Sequence, residues 1–241
     1  MSVPNVVSEP PWQAGLRSAR ANLGPGLVLQ AVALAIVLAY YYHPPTHAAL
    51  ERLAALHDRA GVIYGIISTG LFGGVLPFLY LRSNPATRAQ HTLREGGALT
   101  AFWCYKGLEI DVLYRLLARV VGEGHNGATI VIKTCVDQFI YSPFVAVPTI
   151  VVAYQWCTGG LTGRAIFADF RASGWYVRSA LPTLLANLGV WLPAVAIIYA
   201  LPTPLQLPLE NLVLCFFTLL LAHLNRRRKR NAVRAPAGAS T

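Results

Sequence analysis

Lys133-Thr134-Cys135-Val136-Asp137-Gln138-Phe139-Ile140-Tyr141-Ser142-Pro143 sets a Lys, an Asp and a Gln inside an apolar run long enough to cross a bilayer. Ionisable groups in a spanning helix cost about 2.5 to 3.5 kcal/mol each on insertion scales, so they pair, face a bundle interior or line a water-filled path. At helical spacing Lys133, Asp137 and Tyr141 fall on one face, with Ile130, Phe144 and Pro148 near them. The segment therefore carries a polar stripe, and Gln138 lies beside it.

The rest of the chain supports a membrane setting. Hydrophobic residues make up 55% and charged residues only 12%, and the mean hydropathy is +0.48, outside the range of soluble globular domains. The expected fold is an all-α, polytopic membrane helix bundle with six spans, near 27–42, 61–81, 98–121, 128–154, 180–200 and 208–224. The first and last are short against the ~20 residues of a perpendicular crossing. Residues 1–25, polar and broken by Pro4, Pro10, Pro11 and Pro25, lack an apolar signal-peptide core and read as a cytosolic lead-in. The transmembrane part then covers 26–224, and 225–241 form a basic, disordered tail.

Basic residues orient the bundle. With the C-terminus inside, the inner segments hold Arg17 and Arg20, then Arg82, Arg88 and Arg94, then Arg164, Arg171 and Arg178, and finally the run from Arg226 to Arg230. Only Arg52 and Arg59 fall outside, beside Glu51 and Asp58, so both termini are expected in the cytoplasm. The net charge of +10 follows from the same bias and calls for no nucleic-acid partner. The run Asn225-Arg226-Arg227-Arg228-Lys229-Arg230-Asn231 follows a span directly, where it fixes topology and attracts anionic lipid headgroups.

Metal and redox chemistry find no framework. Cys104, Cys135, Cys157 and Cys215 form no C-x-x-C pair. His43 and His47 have an H-x-x-x-H spacing, but the remaining histidines, His57, His91, His125 and His223, are isolated, so the pair reads as part of a wet interfacial loop. No catalytic triad, phosphate loop or cofactor motif is present, and the chain reads as a non-enzyme without a cofactor.

Two segments look amphipathic. Residues 48–60 place Leu50, Leu53 and Leu56 on one side, and residues 161–173 offer Ile166, Phe167 and Phe170 against Arg164, Asp169 and Arg171. The second span holds Gly61/Gly65 and Gly70/Gly74 at i, i+4, a spacing for close contact with a helix of the same chain or of a second subunit in a homo-oligomer.

The third span holds four charges. Lys106 and Glu109 lie at i, i+3, and Asp111 and Arg115 at i, i+4. The turn Gly122-Glu123-Gly124-His125-Asn126-Gly127 makes the third and fourth spans a hairpin, which sets Asp111, Arg115, Lys133 and Asp137 at one depth. A cluster of these four is neutral overall, the cheapest way to carry them through lipid.

Gly107-x-x-x-Asp111-x-x-Tyr114, then Lys133-x-x-x-Asp137-Gln138-x-x-x-x-Pro143, and later Pro182 and Pro193, resemble the family of small peroxisomal and inner-mitochondrial membrane proteins called Mpv-seventeen and the twenty-two-kilodalton peroxisomal membrane protein. The resemblance covers 107–224. It departs from the family at Leu108 and Leu113, in a segment where only Gly107 and Tyr114 carry over, and at Leu181, Leu185 and Leu188. It implies a pore or metabolite channel of a peroxisomal or mitochondrial inner membrane. The Arg-rich, Lys-poor composition points instead to a divergent relative in a bacterial inner membrane. The residues themselves leave two readings: a channel or transporter for small solutes or ions lined by the Lys133 face, and a structural or accessory membrane protein whose charges fix helix packing.

The topology yields a first prediction. Cysteines introduced at Ser173 and Ser240 resist impermeant thiol reagents in intact cells, while one at Ala55 reacts; labelling at Ser240 from outside would overturn the even span count.

Overall fold

The computed structural model describes residues 10–83, 85–89, 91–158, 163–171 and 173–234; the side chains of 86–87, 158, 164–166 and 221–234 lie outside the description. The helices are α1 (Pro11–Tyr42), α2 (Pro44–Ala60), α3 (Val62–Arg82), α4 (Leu93–Val121), α5 (Gly127–Cys157), α6 (Gly163–Arg171), α7 (Tyr176–Ile198) and α8 (Thr203–Arg234), with one helical turn, Pro85–Arg88, before α4. No strand occurs among the described residues.

Five of these helices are long and apolar enough to cross a membrane: α1, α3, α5, α7 and the Thr203–Leu220 part of α8. The third expected span, α4, is 29 residues long but owes its exclusion to charge, since Lys106, Glu109, Asp111 and Arg115 interrupt it. Val120, Val131, Phe139, Ile140 and Phe144 are exposed, the surface expected of helices whose solvent is hydrocarbon.

Helix α1 starts well before the expected Leu27. Pro11 suits a first helical turn, where its missing N–H is unneeded, and Pro25 sits inside the helix without ending it. An internal proline removes one backbone hydrogen bond. Packing outweighs that loss here, because Gly15, Gly26, Leu29, Ala33, Val37 and Tyr40 form one buried stripe. Residues 11–25, read as a polar lead-in, are thus helical, and 1–9 lie outside the described residues. At the other end α8 continues through the basic run to Arg234, where a disordered tail was expected from 225; 235–241 lie outside the described residues.

The chain divides into two compact units, each made of two separated stretches: 1–42 with 115–203, and 43–114 with 204–241. In the first, α1 runs parallel to α7. Gly15 meets Pro182 and Leu185, Gly26 meets Val190, the Gln30 amide donates to the Val190 carbonyl at 3.1 Å, and the Tyr41 hydroxyl donates to the Ala200 carbonyl at 2.6 Å. Helix α5 is antiparallel to α7, as Asp137 meets Tyr199 while the Pro143 carbonyl accepts from the Tyr176 hydroxyl at 3.0 Å.

In the second unit α3 and α4 cross closely and antiparallel. Gly65 faces Gly107, Gly70 faces Cys104, Gly73 faces Trp103 and Gly74 faces Thr100. Close contact at Gly65, Gly70 and Gly74 was expected; Gly61 instead turns the chain from α2 into α3 at φ 57°, a conformation glycine adopts without strain. Helix α8 runs parallel to α3, with Leu207 at Gly65, Asn211 at Ser68 and Leu214 at Gly73. Helix α2 covers this unit with Ala54 and His57 buried and Leu50 and Leu53 half-buried, while Leu56, expected on the same side, is exposed.

The Gly65 contact sets a prediction. A Cβ there would lie 2.7 Å from the Gly107 carbonyl oxygen, whereas a Cβ on Gly97 would meet nothing within 4 Å. Gly65→Ala therefore lowers stability by about 1 to 3 kcal/mol, and Gly97→Ala leaves it unchanged or slightly raised, as thermal unfolding of the detergent-solubilised protein would measure.

Candidate functional site

Helix α5 changes winding where the polar stripe lies: Gly127–Val136 is α-helical and Asp137–Ala146 is π-helical. Pro143 sits inside the wider segment, which eases the clash of its ring with the preceding turn. Thr149 returns a hydroxyl to the Val145 carbonyl at 2.8 Å, satisfying an acceptor near the end of the segment. The result is a helix with two different sides. Lys133, Thr134, Asp137 and Gln138 are buried, whereas Val131, Ile132, Phe139, Ile140 and Phe144 are exposed.

Asp137 is held at both oxygens. Tyr199, on the turn that ends α7, donates its hydroxyl to Oδ2 at 2.7 Å, and the Gln138 amide donates to Oδ1 at 2.9 Å. Lys133 is 1% exposed, and its Nζ stands 5.9 Å from the centre of the Tyr199 ring. Its ammonium makes no hydrogen bond or ion pair to any described residue. The Thr134 hydroxyl and the Gln138 carbonyl oxygen are also buried without a hydrogen-bond partner among the described residues. Arg115 and Tyr141 belong to the same unit and are half-buried.

Asp111, grouped with these residues from the sequence, belongs to the other unit. There Asp111 Oδ1 lies 2.7 Å from His57 Nε2, with both side chains within 2% of full burial. His57 Nδ1 lies 2.6 Å from the Pro204 carbonyl oxygen. A carbonyl only accepts, so Nδ1 carries a hydrogen, and the 2.7 Å contact then needs a second proton on Nε2 or on the carboxyl. Either way the pair is neutral overall. The Tyr64 ring lies against the imidazole at 4.7 Å.

A second pair of charges on α4 is met locally. Lys106 pairs with Glu109 at the spacing anticipated. The Tyr114 hydroxyl donates to Glu210 Oε2 at 2.7 Å, and the Asn211 amide donates to Ser68 Oγ at 3.0 Å. Among the described residues no three His, Cys, Asp or Glu side chains come together to hold a metal ion.

Sequence reasoning missed His57, Tyr199 and Glu210. His57 carried a usable signal, since Leu50, Leu53, Ala54 and His57 share one helix face and a histidine at the centre of a covered face needs a partner. Tyr199 and Glu210 carried none, being 62 and 96 residues from the groups they bind. Of the remaining motif positions, Gly107 lies at the α3–α4 crossing, Pro182 opens α7 and Pro193 sits within it.

No protein-family model, no curated protein and no solved structure matches the chain.

A double-mutant cycle checks the Tyr199–Asp137 contact. Tyr199→Phe costs about 1.5 to 3 kcal/mol in the wild-type background, the usual worth of a hydrogen bond to a charged group, and close to nothing once Asp137 is replaced by Ala, which removes the acceptor. Equal losses in both backgrounds would show that the hydroxyl does not serve the carboxylate.

Proposed function

We propose that the chain is an integral-membrane channel or transporter for small solutes or ions, with its route along the Lys133–Asp137–Gln138 face of α5. The observation that carries the reading is Lys133, a buried lysine with an aromatic ring beside it and no hydrogen bond or ion pair to its amine among the described residues. Charges that only fix packing are expected in neutral pairs, as at His57–Asp111 and Lys106–Glu109. A charge left over on a polar face is expected where an ion, a solute or water completes it. The π-helical winding at Asp137–Ala146 favours the same place, because such widenings recur at functional sites.

Helix direction supports six crossings with both termini on one side. If α4 did not cross, α7 would be the fourth span and antiparallel to α1, and α8 the fifth and antiparallel to α3. Both pairs instead run parallel, as they do when α4 is the third of six. The basic bias favours termini in the cytoplasm. A bacterial inner membrane fits the composition, and the likeness of Gly107, Tyr114, Lys133, Asp137, Gln138 and Pro143 to the Mpv-seventeen family points to the same class of function by analogy. The neutral pairs favour the second reading, a non-conducting accessory protein held in register by buried charge.

Proteoliposomes decide between them. Wild-type protein passes small ions, Lys133→Glu moves the reversal potential toward cation preference, and Lys133→Gln falls between. A folded wild-type protein that passes neither ions nor small solutes under any gradient would leave the accessory reading in its place.

A further inference from the structure

Helix α6 joins two candidate spans, α5 and α7. Its nine residues reach only ~13 Å, too short to cross a bilayer, so it lies at the membrane boundary. Its roll about its own axis is fixed from one side. Asp169 accepts from the Gln155 amide at 3.2 Å and from the Arg178 guanidinium at 3.3 Å, and Arg178 also donates to the Ser173 carbonyl at 2.6 Å. The Phe170 ring packs on the buried Trp175 at 4.4 Å between centres.

With Asp169 turned to the protein, helical spacing sends Phe167 the other way, and it is 71% exposed. Arg171 is exposed on the flank of that face and makes no hydrogen bond or ion pair to any described residue. Gly163, Phe167, Ala168 and Arg171 line one open cleft of about 470 Å³. Of these described lining residues only Arg171 is charged, and a short helix between two spans sets such a cleft where acyl chain gives way to phosphate.

We propose that α6 binds an anionic phospholipid, with the acyl chain against Phe167 and Ala168 and the phosphate on Arg171. A free phosphate would use the guanidinium but leave the apolar wall uncovered. Phosphatidylcholine would use the wall, but its own cation competes with Arg171 for the phosphate. A net-anionic lipid matches both parts. This site is separate from the basic run at 225–231 and does not depend on whether the protein conducts.

Native mass spectrometry of the full chain resolves lipid binding one molecule at a time. Phosphatidylglycerol binds more tightly than phosphatidylcholine of the same acyl length. Arg171→Ala weakens the phosphatidylglycerol step about fivefold, the scale set by one basic side chain at a charged surface, while Arg171→Lys keeps most of it and Phe167→Ser weakens both lipids. Replacing Arg226, Arg227 and Arg228 by Ala leaves the Arg171-dependent part unchanged. A photoactivatable phosphatidylglycerol also crosslinks to the peptide containing 163–171, a readout that needs no variant. Unchanged affinity in Arg171→Ala, absence of that crosslink, or full competition by inorganic phosphate would each overturn the assignment, the last by showing an adventitious anion site only.

Discussion

A charge moved from water into an apolar interior carries a penalty of several kcal/mol unless a partner meets it, and both units of this molecule are arranged around that penalty. In one, α4 brings Lys106, Asp111 and Tyr114 inward, and each finds its partner: Glu109 one turn on, His57 from α2, and Glu210 from α8. In the other, Asp137 takes the Tyr199 hydroxyl and the Gln138 amide. These contacts tie together helices that apolar packing alone would hold only loosely, because lipid tails are as apolar as leucine and do not drive helices together. The His57–Asp111 pair does the most of this, since one imidazole reaches a carboxylate of α4 with Nε2 and a carbonyl of α8 with Nδ1.

Close approach of the helices is the condition for such short contacts. Asp111 is held beside α3 because Gly65 and Gly107 let the two backbones nearly touch, and the Asp111 side chain itself lies near Gly65. Along the same crossing α3 widens into a π-helical turn at Gly70–Val75, and Gly70, Gly73 and Gly74, at i, i+3 and i+4, all meet α4. In α5 the widening falls at Asp137 and contains Pro143, so the winding that accommodates a proline also orients the carboxylate.

How much of this was legible in the sequence depended on range. The all-helical membrane class followed from apolar runs alone, and the Lys106–Glu109 pair from i, i+3 spacing, both local properties. Helix α1 was misjudged at its start because Pro10, Pro11 and Pro25 look like breakers, while the burial that overrides Pro25 comes from α7, more than 150 residues away. The face of α2 was placed about one residue off, since three leucines outweighed a histidine whose partners lie on α4 and α8. The stripe at Lys133, Asp137 and Gln138 was visible, but Tyr199 was not, because nothing local distinguishes a tyrosine that binds a buried carboxylate from one that marks a membrane boundary.

Lys133 stands apart from these pairs, with no hydrogen bond or ion pair among the described residues, and its cost can be weighed. An ammonium over an aromatic face gains about 0.5 to 2 kcal/mol, and at 5.9 Å the contact stands at the far edge of the effective range. Insertion of a lysine at the middle of a span costs about 2.5 to 3.5 kcal/mol. The ring therefore offsets only part of the penalty, and a leucine at this position would give a more stable helix. Nothing in the packing requires the ammonium, because Asp137 already has two donors that are not Lys133. Beside it the Thr134 hydroxyl and the Gln138 carbonyl oxygen are buried without a hydrogen-bond partner among the described residues, so the polar face of α5 carries more than its packing needs. The same argument does not extend to His57–Asp111, where the shared proton leaves no net charge to account for.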